Sequence, residues 1–121
     1  MRIVGCEILH CNAGWRDFSF LKLMTDENIT GISEYNECYG SPGLSGIIRR
    51  LVERVKDMDP LAHEHIHQCL YAATRQAPGG VNQQASAAIE NALLDIKGQA
   101  LNIPVYDILG GAIRKEIPVY W

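Results

Sequence analysis

ASAAIENALLDIKGQALNIPVYDILGG, residues 85–111, contains the strongest structural signals in this chain. Small and aliphatic residues recur at helical spacing along it and predict a helix from Gln83 to about Leu101. Asn82 is the expected N-cap of this helix. Asn102 is expected to end it in the left-handed conformation, and Pro104 forbids its continuation. Apolar residues cover much of the circumference, so the helix is predicted to be buried on more than one side.

Two further helices are predicted before this one. From Leu44 to Val55, apolar residues recur on one side and charged residues on the other. Asp59-Pro60 is expected to open the next helix, because Asp59 can accept hydrogen bonds from free backbone N–H groups and proline suits the first helical position. Pro78-Gly79-Gly80 is expected to end it. The apolar stripe of this second helix comprises Ala62, Ile66, Cys69, Leu70 and Ala73.

The first third of the chain predicts three β-strands, which cover residues 3–10, 18–24 and 29–35. In the first strand, alternation places Val4, Cys6 and Ile8 on one face. Asn28 is expected to take the left-handed conformation in the turn before the third strand. Consecutive strands joined by short turns usually pair. The predicted fold class is therefore α+β, with a three-stranded antiparallel β-meander followed by a three-helix bundle.

Composition narrows the classes of function. The 121 residues are 47% hydrophobic and 21% charged, as is usual for one globular domain. A net charge of −3 argues against binding to nucleic acid or to a membrane surface, since both need a basic face. No apolar run approaches the ~18 residues of a membrane span. The four cysteines contain no Cys-x-x-Cys pair, which predicts reduced thiols and a cytoplasmic location.

Residues 63–67 read His-Glu-His-Ile-His and satisfy the H-E-x-x-H pattern. On a helix, His63 and His67 could both reach one zinc ion, and Glu64 could act as general base on a metal-bound water. Glu90 is the one downstream carboxylate at a tolerable distance for a third ligand. The pattern also arises easily by chance in a histidine-rich stretch, where His63 and His67 would be solvated residues beside the apolar stripe. A zinc hydrolase is kept as an alternative only.

Residues 85–111 closely resemble the long helix and the Pro-Val…Leu-Gly-Gly turn that end the N-terminal capping domain of the enolase superfamily, in its mandelate racemase and muconate lactonizing enzyme branch. Residues 25–34 resemble the second hairpin of that domain, and residues 117–120 resemble the lead into the first barrel strand. The resemblance covers the whole chain. It implies that residues 1–113 form the capping domain and that residues 114–121 begin the linker and first strand of a missing (β/α) barrel.

The resemblance also implies an activity for the parent protein. Members of this family use Mg²⁺ and bases on the barrel strands to abstract a proton α to a carboxylate. The parent is thus expected to be an acid-sugar dehydratase or a racemase. This chain itself is expected to contain no catalytic residue, to bind no metal or cofactor, and to show no turnover alone. Its implied partners are the barrel domain, a small carboxylate or acid-sugar substrate, and further copies in a homo-oligomer.

Two loops of the family's capping domain lean over the barrel mouth, and they match residues 11–16 and 36–40 here. Trp15 or Tyr39 could wall a substrate pocket and exclude water, and Arg16 could pair with a substrate carboxylate. The alternative at each position is an ordinary surface loop with a packed aromatic. A second class of function also remains open, namely a naturally truncated capping domain that works as a self-associating interaction module.

Overall fold

The structure is a computed structural model that describes residues 1–38 and 40–120. Three strands form one antiparallel sheet in the order β1-β2-β3: β1 (Ile3–Asn12), β2 (Asp17–Thr25) and β3 (Thr30–Tyr35). Four helices follow: α1 (Leu44–Val55), α2 (His63–Thr74), α3 (Gly80–Leu101) and the short α4 (Val105–Ile108). The predicted α+β meander and its three long helices are confirmed. No helix in the described ranges is long and apolar enough to cross a membrane.

A β-bulge at the start of β1 changes which residues reach the core. The register of β1 against β2 shifts between Ile3 and Gly5. Ile3 is fully buried and Val4 is 43% exposed, whereas Cys6 and Ile8 pack against the core. The prediction that Val4 shares a face with Cys6 and Ile8 is therefore wrong. The extra residue of the bulge reverses the alternation, so that Ile3 takes the place expected for Val4.

The core lies between one face of the sheet and the three long helices, and α3 runs through the middle of it. Apolar residues at helical spacing on α3 meet the buried side chains of β2, α1 and α2, as the stripes predict. Ala87 and Leu101 are exposed, so the wider apolar surface of α3 lies outside this core. The central side chains are Leu21, Leu23, Ile48, Leu51, Ile66, Leu70, Ile89, Leu93 and Ile96, all at most 2% exposed.

Two helices begin at residues other than those predicted. α2 begins at His63, because Asp59 closes a turn by accepting the N–H of Leu61 at its Oδ1, 3.0 Å away. α3 begins at Gly80, and Asn82 lies inside its first turn, where its Nδ2 donates to the carbonyl oxygen of Ala77 at 2.8 Å. Both capping predictions are therefore wrong, since each polar side chain forms a hydrogen bond with the backbone of the preceding turn.

Two asparagines take the left-handed conformation that the sequence predicts. Asn28 has φ 62° in the β2–β3 turn, and Asn102 has φ 53° at the end of α3. Asparagine tolerates this region better than most L-residues, because its short side chain can hydrogen-bond locally.

Side chains of α3 complete the hydrogen bonds along the outer edge of β3. Asp95 Oδ2 accepts the N–H of Ile32 at 2.8 Å, and Gln99 Nε2 donates to the carbonyl oxygen of Thr30 at 2.8 Å. Ser33 Oγ donates in turn to the carbonyl oxygen of Ala88 at 2.7 Å. An edge strand otherwise presents unpaired backbone groups that attract other chains. α3 thus covers this edge as well as the face of the sheet.

We expect Asp95→Ala to lower the free energy of unfolding by about 1 kcal/mol, because the N–H of Ile32 loses its charged acceptor at a partly solvated position. Asp95→Asn keeps one acceptor oxygen and should cost less. Urea unfolding followed by circular dichroism measures both variants. An Asp95→Ala midpoint equal to that of the wild type would show that the carboxylate does not support β3.

Candidate functional site

The two loops that the sequence singles out lie side by side at one end of the sheet. We name residues 12–17 loop 1, and residues 36–38 and 40–43 loop 2. Cys38 Sγ of loop 2 donates to the carbonyl oxygen of Asp17 in loop 1 at 3.5 Å. A shared surface cavity is lined by Asn12, Gly14, Trp15, Arg16, Asp17 and Cys38. The fold therefore brings the two predicted regions into contact.

Loop 1 is a tight turn that supports itself. Asn12 Oδ1 accepts the N–H of Gly14 at 2.9 Å, and Asn12 Nδ2 donates to Asp17 Oδ1 at 2.5 Å. At its tip, Trp15 is 75% exposed and its ring packs against that of Phe18 in a T-shaped arrangement, with ring centroids 6.0 Å apart. A large apolar side chain thus lies in solvent on a short, hydrogen-bonded turn.

Arg16 already has a partner within the chain. Its Nη2 lies 2.7 Å from Glu34 Oε1, and its guanidinium lies over the ring of Phe18, 4.4 Å from the centroid. A substrate carboxylate would have to compete with Glu34 for the same guanidinium. Trp15 is therefore the better placed of the two predicted residues in loop 1, and a substrate contact of Arg16 stays a prediction. Tyr39, the predicted residue of loop 2, lies outside the described residues.

Glu37, which the sequence did not indicate, anchors loop 2. Its carboxylate accepts hydrogen bonds from the backbone N–H of Ser45, at 3.2 Å, and from the Ser45 hydroxyl. Partial burial opposes the charged form of Glu37, but these hydrogen bonds and one from the N–H of Gly43 outweigh it and lower the pKa of the carboxyl group. The separation of Glu37 from the helix it caps is too long for a capping-box pattern, so no local signal could have found it.

A small polar cavity lies beside the contact between the loops. It is about 420 Å³ in volume, and His10, Asp17, Ser19, Glu37 and Cys38 line it. His10 Nδ1 lies 3.1 Å from Ser19 Oγ, which orients the imidazole ring at the end of β1. The imidazole of His10 and the carboxylate of Asp17 can together donate to and accept from a hydroxyl-bearing ligand. The sequence did not indicate His10 either, because an isolated histidine near the end of a strand belongs to no sequence motif.

The first and last histidines of the H-E-x-x-H pattern contact polar side chains of α3, on which α2 packs. His63 Nδ1 lies 3.2 Å from Lys97 Nζ, whereas His67 Nδ1 lies 3.1 Å from Glu90 Oε2. Across residues 1–38 and 40–120, no three His, Cys, Asp or Glu side chains form a group that could hold a metal ion. The described residues therefore fit neither the zinc alternative nor a magnesium site, and we assign no reaction step of this chain to a metal.

We expect added zinc to leave the melting temperature of the chain unchanged, because His63 and His67 are engaged by different partners on α3. His67→Ala should cost about 1 kcal/mol or less, with or without a chelator, since it removes only a partly exposed pair with Glu90. Thermal unfolding and metal analysis after dialysis check both expectations. Stoichiometric zinc that is lost in His67→Ala would restore the hydrolase alternative.

Comparisons with known proteins agree with this architecture. Residues 11–110 match the family described as mandelate racemase / muconate lactonizing enzyme, N-terminal domain. The chain is 35% identical, over 127 aligned positions, to the D-galactonate dehydratase of Xanthomonas axonopodis pv. citri (strain 306), and the match covers 99% of this chain and 31% of that protein.

Solved structures give the same result. The crystal structure of the "putative L-alanine-DL-glutamate epimerase" of Burkholderia xenovorans strain LB400 matches with a TM-score of 0.94 and 45% identity, over 100% of this chain and 31% of the other. The structure of that protein bound to magnesium and fumarate matches with a TM-score of 0.93 and 46% identity, over 98% of this chain and 30% of the other. The chain spans about a third of the length of these relatives. With its meander, its helices and the family match over residues 11–110, this chain belongs to the mandelate racemase and muconate lactonizing enzyme N-terminal domain family of the enolase superfamily.

Proposed function

We propose that this chain is the substrate-selecting capping domain of an enolase-superfamily enzyme that abstracts a proton α to the carboxylate of a small acid. The observation that carries this proposal is the contact between loop 1 and loop 2, with Trp15 held exposed beside it. An aromatic side chain at the rim of a site can cover a ligand and exclude water from it. A role in selecting and shielding a substrate fits this placement.

A barrel domain is the proposed partner of the C-terminal end. After α4 the chain continues without regular structure, and Ile113, Ile117 and Val119 are 98%, 77% and 83% exposed. Ile113 and Ile117 line one surface cavity with Tyr106 and Leu109 of the α4 region, which makes an apolar surface of the kind that another domain covers. We propose that residues 1–113 are the capping domain and that residues 114–121 lead into the barrel, which would provide the Mg²⁺ site and the catalytic bases.

The reaction is proposed as acid-sugar dehydration or as racemisation. One relative is a D-galactonate dehydratase, and another is described as an L-alanine-DL-glutamate epimerase. His10 and Asp17, which line the cavity beside the contact between the loops, can bind hydroxyl groups and favour a polyhydroxylated acid. We assign no catalytic residue to the chain itself. Detectable dehydration or racemisation by the 121-residue chain with Mg²⁺ would contradict that assignment.

Trp15→Ala tests the role of loop 1 in a protein that joins this chain to its barrel. We expect the KM for the acid substrate to rise about tenfold with little change in kcat, because the side chain contributes binding and not chemistry. Tyr71→Ala is the matched control, since Tyr71 is an exposed aromatic on α2, outside both loops. Steady-state kinetics with D-galactonate and with a dipeptide substrate measure both variants. A KM of Trp15→Ala equal to that of Tyr71→Ala would contradict the proposal.

Self-association without a barrel is the alternative, and the same exposed surface at Leu109, Ile113 and Ile117 supports it. Sedimentation of the 121-residue chain at rising concentration separates the two proposals. A chain that stays monomeric but binds a separately produced barrel domain supports the capping role. Stable dimers that do not bind the barrel domain support the self-associating interaction module. We also propose a homo-oligomeric parent enzyme in the cytoplasm, where all four free cysteines would stay reduced.

A further inference from the structure

The N-terminus of α1 has no cap of its own. Its N-cap residue is Gly43, in the left-handed conformation at φ 86°, and its first turn contains no acidic residue. The backbone N–H of Ser45 would therefore lack a partner within the helix. Glu37 Oε1 accepts this N–H at 3.2 Å, and the carboxylate also accepts the Ser45 hydroxyl. A negative charge at this position is favoured by the helix dipole as well.

Glu37 lies in a tight turn at the beginning of loop 2. Cys38, the next residue, donates its N–H to Asn36 Oδ1 at 3.0 Å, which forms a tight turn around Glu37. Farther along the loop, the Ser41 hydroxyl donates to Gln84 Oε1 on α3 at 2.6 Å. The described part of loop 2 is thus held by α1 through Glu37 and by α3 through Ser41.

Loop 1 depends on loop 2 through Cys38. The Cys38 thiol donates to the carbonyl oxygen of Asp17 at 3.5 Å, where loop 1 runs into β2. Because Cys38 follows Glu37 directly, a movement of the Glu37 backbone also moves this thiol. The bonds from Glu37 to α1 and from Cys38 to Asp17 therefore form one continuous connection from helix to loop 1.

We propose that Glu37 is a positioning residue, which sets the arrangement of both loops by capping α1. The inference rests on the proposed function, since the loops matter to an enzyme only if they face its substrate. Glu37 acts through Ser45 and Cys38 and is not assigned a contact with the substrate.

Amide hydrogen exchange on the 121-residue chain tests the structural half of the proposal. In Glu37→Gln we expect the amides of Ser45 and of both loops to exchange about tenfold faster, because the amide offers one neutral acceptor oxygen where the carboxylate offers two charged ones. Amides in β2 and α3 should keep their protection. Glu53→Gln is the matched control, since it removes the same charge from an exposed position on α1. Unchanged loop exchange, or equal acceleration throughout the chain, would overturn the proposal.

Cys38→Ala tests the connection between the loops. We expect faster exchange in loop 1, with the Ser45 amide still protected, because the cap of α1 stays intact. Faster exchange in loop 1 for Glu37→Gln but not for Cys38→Ala would show that the connection does not run through the thiol, and it would overturn this part of the proposal.

Kinetics of the barrel-joined protein separate this inference from the proposed function. We expect Glu37→Gln to raise KM about tenfold at constant kcat, with Glu53→Gln unchanged. Loosened loops without a change in KM would overturn the substrate role of the loops while the positioning by Glu37 stands. Rigid loops in Glu37→Gln, together with a raised KM in Trp15→Ala, would overturn the positioning inference alone.

Discussion

Replacing Gly31 with alanine is expected to destabilise the chain by about 3 kcal/mol, at the upper end of what overpacking costs. A Cβ atom at this position of β3 would overlap the carbonyl oxygen of Ala92 and lie 2.8 Å from Ile96 Cγ1. Since Ala92 lies in the middle of α3, its backbone cannot move without disturbing the helix. The strand and the helix would have to separate, which would also lengthen the hydrogen bond from Ile32 to Asp95.

Gly46→Ala is the matched control for Gly31→Ala. Apart from its chain neighbours and the adjacent backbone of α1, no atom lies within 4 Å of a Cβ built at Gly46. Alanine is the better helix former, so this variant should be unchanged or more stable by up to about 1 kcal/mol. Urea unfolding of both variants measures the difference. A stability of Gly31→Ala within about 0.5 kcal/mol of the wild type would contradict the close contact between α3 and β3.

Leu93→Ala is expected to lower the free energy of unfolding by about 3 kcal/mol, within the range for buried leucines. Leu93 is 1% exposed and belongs to the core cluster that joins α3 to the sheet and to the other long helices. Truncation removes its contacts and leaves a cavity that surrounding side chains fill only in part. The loss is a large fraction of the stability of a domain this size.

Leu101→Ala removes the same atoms from the same helix. Leu101 is 50% exposed, so its truncation should cost less than about 1 kcal/mol. Chemical unfolding of Leu93→Ala and Leu101→Ala thus compares the same replacement at a buried and at a half-exposed position of one helix. Equal losses in the two variants would show that Leu93 is not buried in the core of the domain.

Regular elements could be predicted because their signals are local. The β-forming residues at 18–24, which alternate in part, and the helical spacing in residues 44–55 predict β2 and α1, and the structure confirms both elements. The ends of the helices were harder to predict, since a polar residue near the start of a helix can form a hydrogen bond either with the helix or with the turn before it. The side chains of Asp59 and Asn82 both form hydrogen bonds with the backbone of the turn before the helix.

The candidate site was predicted less completely. The resemblance indicated the two loops, and the structure places them in contact through Cys38 and Asp17. It could not indicate that Arg16 pairs with Glu34, because the partner comes from another strand. Glu37 was missed for the same reason, since its role depends on where α1 begins in space.

By itself the sequence determined the order of strands and helices, the left-handed turns and the family, because periodicity, turn-forming residues and the motif at 85–111 act over short distances. The tertiary structure decided the bulge that exchanges Val4 for Ile3, the approach of α3 to Gly31, and the partners of the histidines on α2. Each of these depends on contacts between segments that are distant in the chain. Such contacts exist only after the sheet and helices have packed, so no local pattern could contain them.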